Sequence, residues 1–437
     1  MLHPIVCQNE RLRHYLQNFR GLFSRPQYGH FETVLFGLLM SKEGHTMAHL
    51  HRAIAGIKSV SSVSRFLGQA PWDHQMVNQH NFSRFCNMMH EKIEQERQRM
   101  RDQQPKRCGR YKEPFVTGYL IGDDSTMSKP KGKKMEGLGK HHSTTYDKRI
   151  KGHSLVECLY TVLDRSCPLE PLLYRQKVIA EKEEVPFLSK IDLMIQQIEN
   201  FTPPAGTETH VLLDSWYGAK KIWKAARKQG FKITTGTKCN RSLRVLCSDD
   251  PSGWKWQKLT DYAASLPDSA YQECHWPRNP ERKVWVHVVD TRIKSLYRCK
   301  LVVVRQSLDD PISAARFWAS SDLEADAQAL LGHISKRWDI EVFFEDMKEL
   351  LGIDQYQLMT TTALLRYWTF CWIAFSFLEE VRYQLKQQNN KKEVQHATLG
   401  EARYHVQEIH DKLFLEWVYK HALSGTPVED LFTSLVA

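Results

Sequence analysis

The sequence predicts an α/β protein flanked by helical regions, and three observations carry that expectation. Between residues 114 and 239, short apolar strands alternate with helices. Residues 240–305 switch to tryptophans and β-branched runs, broken by Pro and Gly. Residues 1–96, and the chain from about 325 onward, read as helical instead. A chain of 437 residues exceeds one ordinary core and predicts roughly two to four domains.

The helical start holds candidates at 46–55 (TMAHLHRAIA), 59–67 (SVSSVSRFL) and 82–96, with Gly56 between the first two. Short helices around a glycine-containing turn fit a helix-turn-helix, so 1–96 is a candidate DNA-binding domain. Many ordinary helical domains share this pattern. Residues 97–113 are basic and polar, with Pro105 and Gly109, and predict a linker. A strand at 115–121 (FVTGYLI) then runs into Gly122-Asp123-Asp124-Ser125-Thr126. A loop follows with Lys129, Lys131, Lys133 and Lys134. Strands at 154–163 and 172–178, a helix at 188–200 and a strand at 209–213 (THVLL) lead to Asp214. A helix at 219–229 stops at Gly230, and a strand covers 232–235. These elements make 114–239 the first part of a core. Residues 240–305 are then a β-rich insertion and 306–360 the second part, with a helix at 333–351. Residues 361–437 are a helical C-terminal region.

The net charge is +11, from 61 Lys+Arg against 50 Asp+Glu. That surplus fits a polyanionic partner such as DNA or RNA, and fits a merely solvated basic surface as well. The ten cysteines show no CxxC spacing, which argues against a cysteine-built zinc site. The opening MLHPIVCQNE has no basic and apolar signal pattern, so the expected setting is a reducing cytoplasm. The most apolar stretch, 367–378, is too short to span a bilayer and predicts a buried helix.

Three carboxylates stand out by position. Asp123 and Asp124 close one strand and Asp214 closes another, and catalytic groups of open α/β sheets gather at carboxyl ends of strands. Side by side, such acids make an oxygen-rich site suited to Mg²⁺ or Mn²⁺. In the helix at 333–351, Arg337, Glu341 and Lys348 fall within roughly 60° of one another. Glu345 shares that face. An acid bracketed by two bases serves a metal and a phosphate together, and paired metals suit phosphodiester displacement. Each feature also has a plain alternative: Asp-Ser turns, helix N-caps and surface ion pairs.

On these residues the chain resembles the cut-and-paste DDE transposases of bacterial insertion sequences. The closest subgroup carries a Tyr-Arg-Glu-Lys signature. Here Arg337, Glu341 and Lys348 stand at its spacing, and Ile334 occupies the Tyr position. Asp123-Asp124-Ser125-Thr126 resembles the first acidic motif, with Asp124 favoured over Asp123 because Asp-small-Thr aligns from there. Leu212-Leu213-Asp214-Ser215 resembles the second. The resemblance implies a ribonuclease H-like catalytic core interrupted by the β-rich insertion. It implies Asp124, Asp214 and Glu341 as catalytic metal ligands for two Mg²⁺ or Mn²⁺ ions, with Asp123 as rival ligand. It implies double-stranded DNA as partner, both terminal inverted repeats and target, and a homodimer in the synaptic complex. Arg337 and Lys348 are then phosphate contacts, and Lys129, Lys131, Lys133 and Lys134 track the DNA backbone. Trp254 and Trp256 are candidates for stacking a flipped base, as are Trp276 and Trp285, though tryptophan in a β region is more often core. The competing expectations are a catalytically silent transposase derivative, a ribonuclease H-like nuclease without strand transfer, and a basic scaffold.

Overall fold

The computed structural model describes the chain apart from residues 1–2, 5–8, 43, 56–58, 105–112, 144–146, 249, 390–396 and 437. The two-residue strands β1 (His3–Pro4) and β2 (Ile54–Ala55) pair in parallel near the start. Helix α1 (Glu10–Gln17) begins where the Asn9 side chain accepts the Leu12 amide. Helix α2 (Arg25–Met40) begins with a Ser24–Gln27 capping box and Pro26 in its first turn. Helices α3 (Met47–Ala53), α4 (Val60–Gly68) and α5 (His74–Gln103) follow. The turn of the expected helix-turn-helix, 56–58, lies outside the described residues. Helix α5 runs on through the first half of the expected linker. Residues there are strong helix formers, and Arg97 pairs with Glu94 while Arg99 pairs with Glu96 one turn apart.

The sheet is built around β3 (Val116–Ser128), with β4 (Gly139–Ser143), β5 (Lys148–Val162), β6 (Arg165–Pro168) and β7 (Leu172–Tyr174) on one side. Helices α6 (Lys177–Lys182) and α7 (Lys190–Asn200), strand β8 (Thr207–Leu213), helix α8 (Lys220–Lys228) and strand β9 (Lys232–Gly236) complete the alternation. Strand β3 is antiparallel to β5 and parallel to β8, and β8 is parallel to β9. This mixed order is compatible with a ribonuclease H-like fold.

The region 240–305 is β-rich, as its composition predicts, but it joins the main sheet. Only β10 (Ser242–Leu246) and β11 (Trp254–Lys258) form a ribbon of their own. After helix α9 (Leu259–Ser265), strands β12 (Gln272–Trp276), β13 (Asn279–Arg292) and β14 (Arg298–Arg305) extend the central sheet. They do so through β15 (Arg316–Ser320), which pairs with β9. The expected helix at 333–351 is two helices, α10 (Ala327–Lys336) and α11 (Asp339–Glu349). At their junction Trp338 and Ile340 bond to carbonyls three residues back, which makes a tightened turn. Helices α12 (Thr361–Asn389), α13 (Leu399–Leu423) and α14 (Val428–Val436) end the chain. Residues 367–378 of α12 are buried throughout, and no described helix is long and apolar enough to cross a membrane.

The two faces of the sheet bury different cores. On one face Ile121, Leu155 and Leu212 pack with Ile340 and Phe343 of α11 and Trp372 of α12. The N-terminal helices share that core rather than standing apart: Phe31 and Trp72 both lie against Phe370 of α12. On the other face Leu120, Val156 and Leu213 pack with Met194 of α7 and Ile222 and Trp223 of α8.

Candidate active site

Successive side chains of a strand point to opposite faces. Asp123 follows Ile121 onto the α11 face, while Asp124 follows Leu120 onto the α7 face. The parallel register pairs Gly122 with Leu213, so Asp123 and Asp214 come next, where β8 ends. Strand β3 itself runs on to Ser128 against β5, so Asp123 and Asp124 lie within that strand and do not close it as the sequence suggests. Asp214 follows Leu212 on the α11 face. A Cβ at Gly122 would stand 2.6 Å from both Leu213 and Met194, so glycine is what lets β8 and α7 close here. Asp214 Oδ1 accepts the amides of Trp216 at 3.0 Å and Tyr217 at 3.3 Å, which fixes the carboxylate over the turn.

Helix α11 brings the third acid. Arg337, at the α10–α11 junction, donates through Nη2 to Glu341 and holds Nη1 3.9 Å from Asp123 Oδ2. The guanidinium therefore lies between Glu341 and Asp123. Arg337 is 13% exposed and Glu341 35%, so the group opens to solvent on the Glu341 side. Burial beside Asp214 and Asp124 pushes the Asp123 carboxyl up to about 8, partly offset by the Asp124 amide and Arg337. Burial also raises Asp214, against the opposing pull of the two turn amides. Crowded acids of this kind are a hard, oxygen-only donor set, and a divalent cation would relieve their repulsion. Asp123 and Asp214, with Glu341 on the other side of Arg337, are the residues that could hold such an ion.

Asp124, favoured by the motif alignment, is placed differently. It binds the Lys190 ammonium, and it accepts the Tyr217 hydroxyl at 2.9 Å. Both partners belong to the α7 face, although the Asp124 charge still reaches and raises Asp123 and Asp214. Among the expected DNA contacts, Lys129 is corrected. It is 9% exposed, and its ammonium donates to the backbone carbonyls of Asp354 and Tyr356 and lies 3.8 Å over the Tyr356 ring. A lysine so enclosed holds β3 to the segment after α11 and is not available to a DNA backbone. Lys131, Lys133 and Lys134 are exposed in the same loop. Lys348 is partly buried two turns beyond Glu341, with Asp354 as its electrostatic neighbour.

Trp254 and Trp256 lie edge to face on β11, with Arg244 over Trp254. Trp276 and Trp285 pack against core clusters instead. Trp216 (61% exposed) and Trp338 (51%) stand close in sequence to Asp214 and Arg337. Both sit within the motifs that single out the carboxylates, and their adjacency was the available signal. Lys190 and Tyr217 gave none, because their role depends on how α7 and the turn after β8 fold onto β3. Ile334, at the position of the subgroup's tyrosine, is buried with Leu330 and Leu331 against β13 and β14.

An α/β sheet that brings acids on adjacent parallel strands beneath an Arg–Glu helix is compatible with a nuclease-type enzyme. A family model of DDE superfamily endonucleases matches residues 18–276, more than half of the chain, and the protein belongs to that family. The match includes Asp123, Asp124 and Asp214 and ends before Glu341. No curated protein matches the chain. Membership implies DNA as substrate and divalent metal as the usual cofactor of the class.

Proposed function

We propose that the protein is a cut-and-paste transposase of the insertion-sequence type, which cleaves element ends and joins them to target DNA. The observation that supports it best is the convergence of Asp123 and Asp214 with Glu341 joined through Arg337. On this reading Asp123, Asp214 and Glu341 hold the divalent ions, Mg²⁺ or Mn²⁺. Asp124, bound by Lys190 and Tyr217, positions β3. When bound, the ions supply activation of the attacking oxygen and stabilisation of the leaving oxygen.

The chain's own groups do the positioning. Arg337 contacts both Glu341 and Asp123, and its planar donors suit a phosphate oxygen as well as a carboxylate. Lys348, Lys131, Lys133 and Lys134 supply further phosphate contacts, and Trp254 and Trp256 a stacking surface. In the first step water attacks a phosphodiester at the element end and a 3′-hydroxyl leaves. In the second that 3′-hydroxyl attacks a target phosphodiester, whose own 3′-oxygen leaves. Two copies act in one complex, one for each inverted repeat. The signature subgroup fits with one departure. Ile334, which packs in an apolar cluster, stands where the subgroup has its tyrosine.

Strand transfer in vitro tests this, with DNA carrying the inverted repeats that flank the gene and Mg²⁺ or Mn²⁺. Joined product that disappears in Asp123→Ala, Asp214→Ala and Glu341→Ala is the expected result. Cleavage with no joining would assign a nuclease instead. Binding with no cleavage would assign a silent derivative.

A further inference from the structure

A second cluster of ligating side chains lies on the same sheet face, apart from the acids. His210 stands four residues before Asp214 on β8, and His333 four residues before Arg337 on α10. Asp322, just after β15, completes the group, and one ligand atom from each of the three lies within 4.8 Å of the others. All three are sheltered: His210 is 1% and Asp322 7% exposed, and the His333 side chain 11%. The imidazole centroids are 4.1 Å apart. His333 Nδ1 is buried with no hydrogen-bond partner, which is costly for a polar atom without a ligand.

We propose that His210, Asp322 and His333 form a structural site for a borderline first-row divalent ion of the Zn²⁺ class, separate from the acidic centre. Two imidazoles and one carboxylate suit such an ion, whereas Mg²⁺ prefers oxygen donors alone. Burial holds both imidazoles neutral, the ligating form.

The other contacts of the cluster show what binding displaces. His210 Nε2 lies 2.8 Å from Thr234 Oγ1, which donates onward to Ser320 Oγ. Asp322 Oδ2 lies 3.9 Å from His333 Nε2 and 3.1 Å from the Lys232 ammonium. Lys232 thus neutralises Asp322 when no metal is there. The same ammonium is 3.2 Å from Glu208, which keeps it paired once the ion takes Asp322. An ion at this site would clamp β8, β15 and α10, the elements that lead into Asp214 and Arg337.

The test uses Co²⁺ as a spectroscopic probe on full-length protein carrying Asp123→Asn, Asp214→Asn and Glu341→Gln, so that the acidic centre contributes nothing. The expected result is one bound Co²⁺ with visible ligand-field bands, displaced by Zn²⁺. Adding His333→Ala or Asp322→Asn weakens binding at least about tenfold. Adding Lys232→Met tightens it several-fold, because the competing cation is gone. No Co²⁺ bands in the acid-substituted protein, or equal binding after His333→Ala, overturns the site. Where His333→Ala fails to fold by circular dichroism, Lys232→Met decides, and unchanged affinity there overturns it. DNA plays no part in these readouts, so they stand apart from the transposase reading.

Discussion

Asp123 and Asp124 are identical in chemistry and adjacent on one strand, yet their surroundings are opposite. Asp124 turns toward α7, where a lysine and a tyrosine answer its charge. Asp123 turns toward α11, where burial beside Asp214 pushes its carboxyl up to about 8 despite the Asp124 amide and a long contact to Arg337. A satisfied carboxylate is a structural part. One buried beside a second acid is held at a cost in stability, the condition that a cation would relieve. The alternation of a strand is enough to give one residue each role.

The largest expected effect tests that division. Asp123→Asn should lower DNA cleavage by roughly a thousandfold or more, as should Asp214→Asn, because each removes a charged oxygen donor. Asp124→Asn should stay within about tenfold of the native rate where the protein is folded, since no reacting group is lost. Cleavage assays under matched metal concentration check both. A null result for Asp123→Asn together with lost activity in Asp124→Asn would reverse the two roles.

Stability should divide the pair the other way. Asp124→Asn leaves the Lys190 ammonium, 20% exposed, without its counter-charge and weakens the bond from Tyr217. A loss of about 1–3 kcal/mol is expected. Asp123→Asn removes repulsion from Asp214, so chelator-treated protein should be as stable as the native chain or more so. Denaturant unfolding in chelator measures both variants side by side.

Arg337 ties the two acid-bearing elements together, so its effect should be intermediate. Arg337→Lys keeps a charge but not the planar fork that reaches Glu341 and Asp123 at once. Cleavage should fall by about ten- to a hundredfold with a higher metal requirement. Full activity in Arg337→Lys would mean that Glu341 is held without it.

What the sequence makes legible follows from how local each signal is. Asp214 at a strand end and Arg337 one turn from Glu341 depend on short-range pattern, and the structure has both arrangements. The choice between Asp123 and Asp124 depends on which helices cover each face, and that is a tertiary fact. Lys129 reads as one more solvated base in a basic loop. Its burial depends on carbonyls more than 200 residues away, at Asp354 and Tyr356. The strands of 240–305 are legible as strands. Their continuation of the main sheet rests on β15 pairing with β9, which no local pattern announces. In α2 residues 34–40 are buried without interruption, so no polar stripe marks the helix.

The smallest effect is also the most direct measure of the contrast. A carboxyl whose folded value lies above its unfolded value holds its proton more tightly when folded. The stability it contributes is fully present below the ordinary carboxylate range, near 3.9, and is lost as pH rises through about 8. His45, His141 and His153 work in the opposite sense. Burial holds each down to about 4, so their contribution is present above about 6.5 and is lost as pH falls toward 4. Raw melting curves therefore mix the two senses, and the difference between native protein and Asp123→Asn isolates the carboxyl. In chelator, the native melting temperature should fall relative to Asp123→Asn between about pH 5 and 8, then run level above. Mg²⁺ should cancel that fall in the native protein and leave Asp123→Asn unmoved, because only an ionised Asp123 completes the donor set. A difference curve that is flat across this range would place Asp123 in ordinary surroundings and return the ligand's role to Asp124.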